Sequence, residues 1–187
     1  MKKLFTILVV IGLTTASFGF EYKNTPQNLK ELFETIMQAN TKGDYATAAK
    51  LTKELFPTKE CIKKAVKSDI SLDMFDSYLK MVDRTKQVLS EDKKLASLLT
   101  KKAKRSEVHV YGATTEELLN YKRGSIVYKE FPGGAKKVAK ILLKPNTKVY
   151  EVERIKPGSS SGYRYHLFFW NGKKWCMLGT LWRAIKK

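Results

Sequence analysis

Tyr163-Arg164-Tyr165-His166-Leu167-Phe168-Phe169-Trp170, Asn171-Gly172 and Lys173-Lys174-Trp175-Cys176-Met177-Leu178 make up the stretch that decides the fold. Two runs of aromatic and aliphatic residues flank an Asn-Gly pair, the dipeptide best suited to the positive φ that both central residues of a type I′ turn require. A two-residue turn predicts a hairpin in which Trp170 faces Lys173, Phe168 faces Trp175, His166 faces Met177 and Leu167 faces Cys176. Side chains alternate along a strand. Arg164, His166, Phe168, Trp170, Trp175 and Met177 are then expected on one face, and Tyr165, Leu167, Phe169, Cys176 and Leu178 on the other. Both faces are apolar enough to need a cover.

Upstream, residues 148–155 read as the preceding strand, separated from the hairpin by Pro157-Gly158-Ser159-Ser160-Ser161-Gly162. Alternation and β-branched residues at Glu107-Val108-His109-Val110-Tyr111 predict another strand. Thr114-Thr115-Glu116-Glu117 has the acidic first turn of a helix reaching toward Gly124, Ile126-Val127-Tyr128 suggests a short strand, Phe131-Pro132-Gly133-Gly134 a turn, and residues 135–143 a helix. Before residue 105 the periodicity is helical. Thr25-Pro26 starts a helix with Leu29, Leu32, Phe33, Ile36 and Met37 on one stripe, Gly43-Asp44 stops it and caps the next, and Thr58 caps a third. The pattern predicts an α+β chain: N-terminal helices packed against a curved C-terminal antiparallel sheet.

The helical pair around Lys42-Gly43-Asp44-Tyr45 and the closing Phe168-Phe169-Trp170-Asn171-Gly172-Lys173-Lys174-Trp175 hairpin resemble exported members of the nuclear-transport-factor-2-like, or cystatin-like, superfamily. The resemblance implies a cone-shaped sheet wrapped on a long helix. It also implies a cavity between them that serves as an enzyme site in some members and a ligand or partner site in others. It assigns no catalytic residue here.

Lys2 and Lys3 followed by an apolar run over residues 4–13 and small residues at 15–19 predict a secretory signal peptide over residues 1–19, leaving residues 20–187 as one α+β domain. Its helical part covers about 26–104 and its mixed strand part about 106–187. The expected location is outside the cytoplasm, periplasmic or secreted. No other stretch is apolar enough to span a bilayer. The chain of 187 residues carries 36 Lys and Arg against 18 Asp and Glu, a formal charge of +18. Such a charge concentrates and steers polyanions. Export argues against nucleic acid and leaves an anionic envelope polymer, a phosphorylated lipid or an acidic protein as partners. Lysines cluster at 63, 64 and 67, at 93 and 94, at 101, 102 and 104, at 136, 137 and 140, and at 173, 174, 186 and 187. Spread in this way, they also serve solubility.

No nucleophile elbow, phosphate loop, dinucleotide fingerprint or zinc-protease helix is present, and no cofactor or metal is expected. The only cysteines, Cys61 and Cys176, read either as a disulfide, which export permits, or as two buried thiols. His109 and His166 fall on separate strands without metal-ligand spacing. His166 beside Glu151 or Glu153 is the one plausible general acid/base pair. Gly133-Gly134 before Lys136 and Lys137 reads as an anion-holding helix start or as a plain turn. The expected function is therefore an exported basic binding or structural domain, with a small enzyme built on His166 as the alternative.

Overall fold

The computed structural model describes residues 20–100 and 105–185; the expected signal peptide at 1–19 lies outside the described residues. Five helices come first: α1 (Pro26–Thr41), α2 (Tyr45–Glu54), α3 (Lys59–Ala65), α4 (Asp76–Val88), which follows a 3-10 helix at Leu72–Phe75, and α5 (Asp92–Thr100). Strand β1 (Glu107–Thr114) is followed by α6 (Thr115–Leu119), α7 (Ile126–Glu130) and α8 (Gly133–Ile141), then by β2 (Lys148–Ile155), β3 (Gly162–Trp170), β4 (Trp175–Met177) and a 3-10 helix at Leu181–Ala184. The four strands form one antiparallel sheet in the order β1-β2-β3-β4. This is an α+β fold.

Side chains close the helix starts that the sequence marks. Thr25 accepts from Asn28 N–H, Asp44 from Thr47 N–H and Thr58 from Cys61 N–H, each satisfying a donor that a helix N-terminus leaves unpaired. Thr114 and Glu117 complete a reciprocal capping box on α6. Residues 126–128 are helical, contrary to the expected short strand, because Ser125 accepts from Tyr128 N–H and starts α7. Gly133-Gly134 is likewise the first turn of α8.

Helices cover both faces of the sheet. On one face Leu29, Leu32, Phe33 and Ile36 of α1 pack on Val108, Tyr150, Val152, Tyr165, Phe168 and Trp175, with α2 and α5 behind them. On the other face α3, α4, α6, α8 and the last 3-10 helix enclose Ala113, Val149, Leu167, Cys176 and Leu178. Cys61 of α3 and Cys176 of β4 are bonded across this second core, with Cα atoms 6.7 Å apart.

The hairpin departs from its expected register by two residues. Trp170 pairs with Trp175, Phe169 with Cys176 and Phe168 with Met177, so the loop holds residues 171–174. Asn171 organises it through its side chain: Oδ1 accepts the N–H groups of Lys173 and Lys174 at 3.0 Å each, and Gly172 alone takes positive φ, at +95°. A two-residue turn would put Lys173 in the ladder opposite Trp170. The longer loop frees both lysines and seats the two indoles edge to face, 5.4 Å apart.

Candidate functional site

The expected binding face, Arg164, His166, Phe168, Trp170, Trp175 and Met177, is divided between the two sides of the sheet. Tyr150 pairs with Phe168 but Val152 pairs with Tyr165, so His166 and Leu167 together oppose the single residue Glu151. This is a β-bulge, with Leu167 at φ +55°. It shifts the alternation by one residue. Phe168, Trp170, Trp175 and Met177 stay on the α1 side and Tyr165 joins them, whereas Arg164 and His166 meet Glu151 and Glu153 on the opposite side. Phe168 and Trp175 are fully buried, so that half of the expected face is core.

The polar half is a connected cluster. His166 Nδ1 lies 2.6 Å from Glu151 Oε2, and Glu151 Oε1 accepts Leu167 N–H at 3.1 Å. Glu153 accepts from Gly162 N–H at 2.8 Å and from Arg164 Nε at 3.2 Å, so of the two carboxylates open to the sequence reading it is Glu151 that pairs with the histidine. Arg164 continues to Glu130 Oε2 at 2.8 Å and to the Lys129 carbonyl at 2.7 Å, which fastens the end of α7 to the sheet. The His166 ring is 29% exposed and stands edge to face with Trp182 at 5.6 Å. Trp182 in turn lies on Gly134, where a Cβ would come within 2.3 Å of the indole, so the glycine serves close packing of α8. His109 sits on β1, 3.7 Å from Glu107 and in register with Glu153, with its ring beside Tyr111, whose hydroxyl donates to Glu153.

Glu151 is wholly buried, and burial pushes its carboxyl above the ordinary value near 4.5, an effect its hydrogen bond and charge contact with His166 oppose. A raised native-state value means that the folded protein holds this proton more tightly than the unfolded chain does. Its stabilising contribution is complete below about pH 4.5 and is lost as pH rises through the native-state value. Replacing Glu151 with Gln is expected to remove that decline from denaturant midpoints measured between about pH 4 and about pH 7. A variant whose pH profile runs parallel to that of the wild type would reject the assignment.

The second arrangement is made of lysines. Lys63 and Lys64 of α3 and Lys67 just beyond its end line a concavity of about 490 Å³ together with Lys144, and Glu60 is the one acid among its lining residues. Lys144 Nζ donates to the carbonyls of Lys63 and Lys64, at 3.3 and 3.0 Å, placing a cation at the negative end of α3. Lys67 Nζ reaches the Lys140 carbonyl at 3.1 Å and Lys64 Nζ the Asn171 carbonyl at 2.8 Å. Lys63, Lys64 and Lys67 thus meet Lys144, far from them in sequence, in one hollow, and the Lys64 ammonium reaches from it to the hairpin tip. The lysines at 101, 102, 104, 186 and 187 lie outside the described residues.

No family model, curated protein or solved structure matches this chain. The chemistry of these two sites is therefore read from their own geometry. Among the described residues no three His, Cys, Asp or Glu side chains are grouped to hold a metal ion, and no helix is long and apolar enough to cross a membrane.

Proposed function

We propose that the chain is an exported envelope domain that binds an anionic polymer at the lysine concavity between α3, Lys144 and the hairpin tip. One observation carries this reading: lysines from separate parts of the chain converge on one hollow that a single acid lines. The ammonium groups of Lys64, Lys67 and Lys144 are held by backbone carbonyls, which fixes their positions and leaves their charge unneutralised. Fixed cations in a concave surface focus the field and favour a flexible chain of phosphates or carboxylates. The ligand cavity that the superfamily resemblance implies, between a long helix and the sheet, is in this chain filled by Phe33, Tyr165, Phe168 and Trp175.

The test compares two triple variants with the same loss of charge. Changing Lys63, Lys64 and Lys67 to Gln is expected to weaken retention of long-chain polyphosphate by at least about tenfold and to reduce its salt dependence. Changing the exposed Lys122, Lys129 and Lys156 to Gln should have a much smaller effect. Equal losses in both would assign the lysines to solubility alone. Anionic phospholipid vesicles and polyglutamate, run in parallel, test the lipid and acidic-protein alternatives.

A second reading, a small enzyme using His166 as general acid or base, is favoured by the 2.6 Å contact with buried Glu151. A carboxylate on Nδ1 orients the ring and stabilises the imidazolium, with Nε2 as the atom that exchanges a proton. Incubation with envelope polymers and detection of new end groups decides it. Turnover retained by His166→Gln would exclude the histidine.

A further inference from the structure

A separate hollow of about 630 Å³ opens on the other side of the hairpin tip, between α2, the α4–α5 connection and Lys174. Ala46, Ala49, Leu89 and Leu95 give it an apolar floor, and Lys50, Lys53, Lys86 and Lys174 stand around it. Lys86 is paired with Asp83 at 3.0 Å, but the side-chain ammonium groups of Lys50, Lys53 and Lys174 make no hydrogen bond or ion pair among the described residues. Two acids line the same hollow, and one of them, Glu54, already accepts a hydrogen bond from Tyr22 OH. Four lysines against these two acids leave the lining with a net positive charge.

We propose that this hollow is a binding site for a small anionic amphiphile, a single alkyl or acyl chain ending in a phosphate or carboxylate. The size falls within the range of about 300 to 1,000 Å³ typical of ligand pockets. An apolar floor gains from covering a hydrocarbon chain and gives a free phosphate nothing. Unpaired ammonium groups at the rim favour an anionic head over a neutral one. The occupant is a free single-chain molecule. This reading goes beyond polymer binding and uses different residues, so either can fail alone.

Titration calorimetry with dodecyl phosphate, below its micelle concentration, tests the proposal on the chain from residue 20 onward. One molecule is expected to bind per chain, with inorganic phosphate and dodecyl maltoside each weaker by at least about tenfold. Ala46 and Ser90 are exposed lining residues, and filling the hollow with Ala46→Trp or Ser90→Trp leaves the charge unchanged. Both should cut dodecyl phosphate affinity by about tenfold or more while leaving polyphosphate retention intact. The Lys63, Lys64 and Lys67 triple should show the reverse pattern. The proposal is overturned if both folded Trp variants bind dodecyl phosphate like the wild type, or if phosphate or maltoside binds as tightly.

Discussion

Removing the disulfide by changing Cys61 and Cys176 together to Ala is expected to cost about 4 to 5 kcal/mol of stability. The bond closes a loop with a sequence separation of 115 residues, and the entropy it takes from the unfolded chain grows with the logarithm of loop length. Against a typical total of about 5 to 15 kcal/mol, that is about a quarter or more of what holds the domain together. The loss acts mainly through the unfolded state, so the denaturant slope should rise as the released chain expands and exposes more surface. The position of the bond adds a functional consequence. It ties α3, which carries Lys63 and Lys64 and ends just before Lys67, to the strand beginning just beyond the hairpin tip, whose Asn171 carbonyl accepts from Lys64. Urea unfolding of oxidised wild type beside the double variant measures both quantities, and midpoints that coincide would remove the bond from the stability of the domain.

Features decided by a few neighbouring residues were readable before the fold was seen. The caps at Thr25, Asp44 and Thr58 work over three residues, and the structure places them where the sequence marks them. The apolar alternation of β3 and β4 was equally plain, but it did not contain the register. The loop follows from Asn171 using its side chain to hold Lys173 and Lys174, where the dipeptide alone suggested a tighter turn. The bulge had no signal at all. Leu167 takes a left-handed conformation that costs a leucine about 1 to 2 kcal/mol, and only the paired strand and the packed core on each side hold it there. Its effect reaches the candidate site, since it moved Arg164 and His166 away from the aromatic residues and toward Glu151 and Glu153. The residue types for acid and base chemistry were legible, while the partner of each was set by that shift. The gathering of lysines was illegible for a different reason. Lys64 meets Asn171, and Lys67 meets Lys140, only because α3, the segment after it, α8 and the hairpin tip come together in the tertiary structure.

Trp175→Ala is expected to cost about 3 to 5 kcal/mol, the range for deleting a large aromatic from a packed core. The indole is fully buried between Tyr150, edge to face at 5.2 Å, and Trp170 at 5.4 Å, and it belongs to the core that α1 covers. Its Nε1 donates to Asn28 Oδ1 at 3.3 Å, and the same oxygen accepts Lys23 N–H at 2.8 Å while the Asn28 amide donates to the Glu21 carbonyl at 2.9 Å. The truncation therefore opens a cavity under α1 and withdraws one support from the side chain that anchors residues 21–23 to the fold. Trp175→Phe separates these contributions, because it keeps most of the ring contact and loses the hydrogen bond, for a smaller cost of about 1 kcal/mol plus the lost ring volume. Ligand capture is the second measurement. Since Trp175 touches neither lysine-lined hollow, the folded fraction of each variant should retain polyphosphate and bind dodecyl phosphate as the wild type does. A Trp175→Ala protein with an unchanged melting temperature and impaired capture would return the aromatic face of the hairpin to the role of binding surface.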